Sequence, residues 1–391
     1  MTDLTLGVVG SARKEHELRM PLHPDHLQRL PEHLRRRLVF EEGYAARFGM
    51  TDRELSAISG GVAPRHALLS ELGVVLLAKP VLADFEELRE AGVLWGWPHC
   101  VQHADVTQVA IDRRLTLIAF EQMFFWAPEG HTGRHTFYKN NEMAGYCAVF
   151  HALQLRGIDG HYGNQRKCVV FSFGSVSRGA IYALKAVGFR DITVCIRRPE
   201  HDIREEVLGC HYVRLREGFE GEGRMIVVDD DGTERPFLDL VSETDIMVNG
   251  TYQDPSAPLM FVEEDEIPYL KRGLLIIDVS CDEGMGFSFA TPTSFEKPML
   301  HFGAFDYYAV DHTPSYLWES ATRTISMALL SHMPAMMAGR ESWMEHETLR
   351  RAIEIDQGVI RNPAILAFQR RDLAYPHRRL GGEPDGIEVP Q

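Results

Sequence analysis

The stretch VVFSFGSVSRGAIYALKAVGFRDITVCIRRPE, residues Val169 to Glu200, decides the reading of the fold. The apolar run KCVVFSF ends in a glycine turn, an amphipathic run GSVSRGAIYALKAVGF follows, and a second apolar run DITVCIRR closes the unit. Strand, turn, helix, strand is the repeating unit of a parallel α/β sheet. The turn itself is Gly174-Ser175-Val176-Ser177-Arg178-Gly179. Glycine there lets a pyrophosphate approach the backbone, and a helix N-terminus offers unpaired N–H groups to phosphate. A full GxGxxG is absent: Ser172 or Phe173 stands where an earlier glycine would be, and Val176 where the second would be. The second strand ends in Arg197-Arg198, where an NAD enzyme keeps a carboxylate about 20 residues past the turn. Arginine at that place suits the 2′-phosphate of NADP, so the reading is NADPH. Asp191 lies at the wrong end of the strand for a ribose.

Outward from this unit the alternation continues. LTLGVVG, RRLVFEEGYAARFGM, GVVLLAKPV, GVLWGWPHCVQ and LTLIAFEQMFF read as strands before it, with HPDHLQRLPEHL as a helix. DLVSETDIMVNGT, RGLLIIDVSCDEG and HFGAFDYYAVDHTP read as strands after it, with a hairpin around Asp-Gly in GEGRMIVVDDDGTERPFLDL. Asn140 to Gly157 reads as a connecting helix, and Ser315 to Gly339 as one long returning helix. The expected architecture is α/β with two Rossmann-like domains. A discontinuous substrate domain spans 1–145 and 306–377, a central NADP-binding domain spans 146–305, a cleft separates them, and 378–391 form a loose tail. A chain of 391 residues suits two domains.

A net charge of −15 argues against a nucleic-acid partner. Six scattered cysteines without a CxxC pair suggest neither zinc nor disulfides. No apolar window is long enough for a membrane helix, and MTDLTLGVVG lacks the apolar core of a signal peptide. A cytoplasmic enzyme, a homo-oligomer with no membrane partner, is the expectation.

Three polar residues stand near the ends of apolar runs: Arg19 in KEHELRMPLHP, Lys79 in LLAKP and His99 in WGWPHCVQ. A lysine closing an apolar strand costs desolvation unless it meets an anion. Strand ends are where α/β folds place their sites. Trp95, Trp97 and Trp126 are candidates to wall a dry cleft.

The set Glu17-Leu-Arg19-Met-Pro-Leu22-His-Pro24, LLAKP, WPHCVQ, NNEMAGY, IIDVSCDEGMGF and YYAVDHTPS resembles the alanine dehydrogenase and pyridine nucleotide transhydrogenase superfamily. Within it the resemblance is greatest to the carboxyethylornithine synthase branch, with saccharopine dehydrogenases more distant. The resemblance implies that Arg19 holds the carboxylate of a 2-oxo acid. It implies that Lys79 binds the same substrate and shares proton transfer, and that His99 is the acid/base. Asp282 would stand beside the nicotinamide, with His312 and Thr313 lining the cleft. Asn249, Gly250 and Thr251 are further candidate cofactor contacts. Two departures from alanine dehydrogenases, VDHTPS and Arg197-Arg198, put ammonia as amine donor in doubt.

Reductive amination of a 2-oxo acid needs a cation for the carboxylate, an acid to expel water, a hydride donor and a dry site. The expected reaction joins a small 2-oxo acid, pyruvate first, to the side-chain amine of ornithine or lysine with NADPH. Glu121, Glu142, Asp311 and Glu319 are candidate partners for the diamino acid. The rivals are an ammonia-using alanine dehydrogenase, a saccharopine-type enzyme using 2-oxoglutarate with Arg13 or Arg134 as an extra cation, and a non-catalytic NADPH-binding sensor.

Overall fold

The computed structural model describes residues 3–127, 130, 132–197, 205–218, 224–229, 231–253 and 259–380. Two compact units are formed, one by 1–137 with 322–391, the other by 138–321.

In the first unit, strands β1 (Leu6–Val9), β2 (Leu38–Glu41), β3 (Val62–Ala63), β4 (Val74–Leu77), β5 (Val93–Gly96) and β6 (Thr116–Ala119) run parallel in the order β3-β2-β1-β4-β5-β6. Val74, Leu76, Trp95 and Ile118 face one apolar layer, and Val75, Leu77, Leu94 and Leu117 the other. Burial on both faces explains why these strands read as unbroken apolar runs. A small hairpin, β7 (Phe124–Trp126) with β8 (Thr132–His135), follows.

The second unit begins with helix Tyr138–Arg156. Its sheet contains β9 (Cys168–Phe171), β10 (Ile192–Ile196), β11 (His211–Glu217), β12 (Met225–Val228), β13 (Glu234–Pro236), β14 (Ile246–Asn249), β16 (Leu274–Asp278), β18 (Met299–His301) and β19 (Phe305–Tyr308). A separate pair joins β15 (Met260–Val262) to β17 (Gly286–Phe287). The parallel core is β11-β10-β9-β14-β16-β19, while β12, β13 and β18 are antiparallel additions. The expected doubly sheeted α/β class is the observed one, and the hairpin around Asp-Gly is β12–β13.

The expected boundaries at 145/146 and 305/306 differ from the observed 137/138 and 321/322. Helix Tyr138–Arg156 packs on helix Ser175–Ala186 of its own unit. A Cβ on Gly145 would lie 1.9 Å from the Val176 carbonyl oxygen, and one on Gly179 would lie 1.7 Å from that of Glu142. Likewise β19 is hydrogen-bonded into the second sheet beside β16.

The returning helix is not continuous. A 3-10 turn, Thr313–Leu317, leads into helix Trp318–Leu330, and a second helix, Met333–Ala338, starts anew. Pro334 has no N–H, and its ring would clash with the Leu330 carbonyl in an unbroken helix. HPDHLQRLPEHL breaks similarly around Pro31 into a 3-10 turn, Pro24–Arg29, and a short helix, Glu32–Arg35. The chain then adds β20 (Ile353–Asp356) antiparallel to β6, and β21 (Val359–Ile360) beside it. Of the expected loose tail, 378–380 are tied down: Arg379 bridges Arg371, and the Leu380 N–H bonds the Arg370 carbonyl. Residues 381–391 lie outside the described residues. None of the described helices is long and apolar enough to cross a membrane.

Candidate active site

The strand ends of the first unit bring Arg19, Lys79 and His99 into one cluster. Lys79 follows β4 and His99 follows β5. A Cβ on Gly96 would sit 1.9 Å from the Leu77 carbonyl oxygen, so only glycine lets these two strand ends run so close. The Trp97 N–H then bonds the Ala78 carbonyl. As a result Lys79 Nζ lies 2.6 Å from His99 Nε2. His99 has φ 49°, a left-handed conformation that a non-glycine residue adopts only when its surroundings hold it there.

Glu121, from the turn after β6, holds His99 from the other side. Its Oε1 accepts the His99 N–H at 2.9 Å and lies 3.1 Å from Nδ1. This contact engages Glu121 with the imidazole, a different role from holding an amine substrate. Burial raises the Glu121 carboxyl above the usual carboxylate range, and the charge of Glu354 pushes it further. An imidazole held at Nδ1 by a carboxylate and at Nε2 by an amine can pass a proton in either direction.

Arg19 is almost wholly buried. Glu17 grips it in a fork: Nε to Oε1 at 2.8 Å and Nη2 to Oε2 at 2.5 Å. Desolvation would raise the Glu17 carboxyl, but the charge and hydrogen bonds of Arg19, with the charge of Lys79, hold it down at about 2. The Trp97 ring stands 5.4 Å from the guanidinium carbon. Of the three tryptophans, Trp97 therefore reaches the cluster. Trp95 is core and donates to Met123 Sδ, and Trp126 carries Arg351 over its ring. The loop bearing Arg19 is fixed by the Met20 N–H on Thr322 Oγ1 and by Tyr44, whose hydroxyl bonds both the N–H and the carbonyl of Leu22. Arg13 pairs with Asp84 and Glu87.

In the second unit the turn after β9 has the shape a dinucleotide needs, in a different register from the one expected. Gly174 caps helix Ser175–Ala186, and among the described residues nothing beyond its chain neighbours lies within 4 Å of where its Cβ would be. Ser172 has φ 67° and takes the left-handed place of a first glycine. Ser177 takes the inner place: it is fully buried and bonds the Phe171 carbonyl at 2.8 Å. The motif is thus Ser172-x-Gly174-x-x-Ser177, with the glycine kept where a pyrophosphate must approach. Ser172 Oγ joins Ser177 Oγ at 2.6 Å and the Gly250 carbonyl at 3.1 Å. The open Gly174 face and the helix N-terminus fit a dinucleotide. Gly179, expected at the cofactor, instead faces helix Tyr138–Arg156, because that helix passes too close for any side chain.

Asn249, Gly250 and Thr251 stand beside this turn at the end of β14. Asn249 Nδ2 donates to Asp278 Oδ1 at 3.0 Å, and Tyr307 OH donates to Asp278 Oδ2 at 2.8 Å. Asp278 is fully buried, and desolvation lifts its carboxyl to about 6 against the pull of these donors. It also accepts the N–H of Cys281, a residue at φ 45° that immediately precedes Asp282. Asp282 is raised by burial and by the charge of Asp311. Asp311 bonds the His312 N–H at 2.6 Å, and His312, also left-handed, packs on Phe295. Thr313 is buried and its hydroxyl bonds the Ala144 carbonyl. Arg197 is exposed and pairs with Glu217 Oε1 at 3.4 Å. Arg198 lies outside the described residues. Glu142 pairs with Lys139, and Glu319 opens helix Trp318–Leu330.

Sequence reasoning missed three carboxylates: Glu17 as the partner of Arg19, Glu121 as the partner of His99, and Asp278. Each had a signal. Glu17 and Asp278 sit in the quoted motifs, and Asp278 ends the apolar run LLIID where a charge needs partners.

A family model for the alanine dehydrogenase/PNT C-terminal domain matches residues 164–363, about half of the chain. An N(5)-(carboxyethyl)ornithine synthase of Clostridium botulinum is 22% identical over 338 residues, covering 80% of this chain and 92% of that protein. One from Lactococcus lactis subsp. lactis is 24% identical over 327 residues, covering 80% and 90%. Among solved structures, an L-alanine dehydrogenase shares the fold with a TM-score of 0.73 at 18% identity, over 94% of this chain and 99% of that one.

Proposed function

The chain belongs to the alanine dehydrogenase/PNT family, and from that premise we propose that it condenses a small 2-oxo acid with the side-chain amine of a diamino acid and reduces the product with NADPH. The protein is an NAD(P)-dependent oxidoreductase acting on amino-acid CH–NH bonds. Pyruvate is the proposed oxo acid, and ornithine or lysine the amine. Two relatives named for carboxyethylornithine synthesis support this choice.

The observation that carries the reading is the 2.6 Å contact between Lys79 Nζ and His99 Nε2, beside Arg19. Arg19, oriented by Glu17, binds the carboxylate of the oxo acid and sets the carbonyl toward His99. Lys79 holds the carbonyl oxygen, and its charge favours electron density building there. The amine attacks the carbonyl carbon and a carbinolamine forms. His99 protonates the hydroxyl, which leaves as water, and Glu121 stabilises the imidazole through Nδ1. Ser172, Gly174 and Ser177 would hold the dinucleotide, which when bound would supply hydride for reduction of the imine. Asp282 and His312 are the proposed residues at its nicotinamide end, and Arg197 with Arg198 the proposed contacts for the 2′-phosphate. Among the described contacts, Arg197 has the exposed Glu217 as its ion pair. Such pairs contribute under about 1 kcal/mol and yield readily to a phosphate.

The test is oxidation of NADPH, with NADH beside it, across pyruvate, glyoxylate and 2-oxoglutarate, each with ammonia, ornithine or lysine. Turnover confined to a diamino acid with NADPH supports the proposal. Turnover with ammonia replaces it by an alanine dehydrogenase reaction. Cofactor binding without turnover of any pair overturns the acid/base role of His99.

A further inference from the structure

The loop that carries His99 is gripped from the far end of the chain. Gln369, 269 residues after Cys100, points Nε2 at the carbonyl of Cys100 at 2.6 Å and that of Val101 at 3.2 Å. The same nitrogen meets Thr107 Oγ1 at 3.1 Å, and that hydroxyl also donates to the Cys100 carbonyl at 2.9 Å. Gln369 is in turn locked by Arg371, whose Nε donates to Oε1 at 2.7 Å. Arg371 Nη2 holds the Ala104 carbonyl at 3.1 Å, and Nη1 holds Gln108 Oε1 at 2.8 Å and the His377 carbonyl at 3.1 Å. Glu354 of β20 accepts the Asn362 side-chain N–H at 2.9 Å. Gln369, Arg371 and Glu354 are 6%, 4% and 2% exposed.

A buried arginine and a buried glutamine satisfying the carbonyls of one short loop determine its backbone. His99 needs that determination, because its left-handed conformation is strained and its ring must meet Lys79 on one nitrogen and Glu121 on the other. Acid/base groups lose rate steeply when displaced by about 1 Å.

We propose that Gln369, locked by Arg371, is a positioning residue for His99, so that the C-terminal segment completes the acid/base site. This inference rests on the proposed role of His99. Among the described contacts, the groups facing the imidazole include the Lys79 ammonium, the Glu121 carboxyl and the His103 ring, at 6.4 Å between centroids.

The experiment compares Gln369→Met with Thr348→Val in the full-length chain. Methionine keeps the volume and loses the donors. Thr348 bonds the Phe124 carbonyl without contacting Gln369 or Arg371 through a hydrogen bond, and serves as a stability control. For Gln369→Met we expect kcat to fall about 100-fold with NADPH affinity unchanged. The midpoint of the His99 ring titration, followed by NMR with His99→Gln for assignment, should move. Thr348→Val should lower Tm without either change. If Gln369→Met fails to fold, Arg371→Lys, which keeps the charge but not the fork, should give the same split. Loss of Tm with kcat and the His99 titration unchanged would leave Gln369 a purely structural residue and overturn the proposal. The NMR titration needs no substrate, so a wild-type protein that turns over none of the substrate pairs still decides the clamp separately from the reaction.

Discussion

The turns that follow the first strands of the two sheets look alike in sequence and differ in what fills them. After β1 the N–H groups of Gly10 and Ser11 point at Glu41 Oε2, at 2.8 and 2.7 Å, and the Ser11 hydroxyl bonds the same carboxylate. The protein's own anion occupies that turn. After β9, among the described residues, no atom beyond the chain neighbours lies within 4 Å of a Cβ on Gly174. The contrast extends to the strand ends around it. In the first unit Glu17 neutralises Arg19 and Glu121 engages His99, so the protein's own acids meet these basic groups. In the second unit the helix N-terminus at Gly174 has no carboxylate of the described residues hydrogen-bonded to it, and a helix N-terminus favours an anion. Topology is shared, and the placement of acidic side chains assigns the roles.

The largest effect that would break this comparison concerns its buried carboxylates. Glu17 is held at about 2, below its ordinary value of 4.5. Its contribution is therefore present above pH 4.5 and lost as pH falls toward 2. Urea unfolding of Glu17→Gln beside wild type should show a gap that narrows by about 3 kcal/mol across that window. Asp278 behaves oppositely. Its carboxyl is raised to about 6, so its contribution is full below 3.8 and lost as pH rises through 6. A gap for Glu17→Gln that is independent of pH would remove the internal-anion account of the first unit.

Gly174→Val should weaken NADPH binding about 100-fold in a fluorescence titration while leaving Tm in place, since the new side chain meets the ligand and not the fold. Its counterpart, Gly10→Ala, should do the reverse. The added Cβ would lie 2.5 Å from Met20 Cε and 2.6 Å from the Tyr44 ring, costing about 1–3 kcal/mol of stability with cofactor affinity intact. Equal effects on both readouts from either variant would erase the distinction between the turns.

Glu41→Gln removes the charge from three hydrogen bonds and should cost about 2 kcal/mol by chemical denaturation, without creating a nucleotide site. NADPH binding to the first unit of such a variant would mean that the carboxylate alone separates the two turns. The smallest effect belongs to Ser172→Gly. It relieves a left-handed serine and loses two hydrogen bonds, so stability should change by less than about 1 kcal/mol and affinity about twofold.

Much of this was legible in the chain. Apolar runs buried on both faces announced parallel strands, and Lys79 and His99, placed just beyond two of them, proved to be in contact. The motif register was not legible, because serine at 172 hides a glycine-like backbone that only a dihedral reveals. Gly179 misled for a related reason: glycine serves close approach, and the sequence does not say whether a cofactor or a helix approaches. The broken return helix could have been read from Pro334 alone. The clamp of Gln369 on Cys100 had no sequence signal, since hydrogen bonds across 269 residues leave no periodicity.

By itself the sequence determined the fold class, a glycine turn between strand and helix, and the basic residues near the strand ends, because these follow from local hydrophobic pattern and residue type. The tertiary structure decided which carboxylate meets which cation. Arg19 went to Glu17, His99 to Glu121 and the Gly10 turn to Glu41, because partners in an ion pair are chosen by strand order and close approach, and neither is encoded in neighbouring residues.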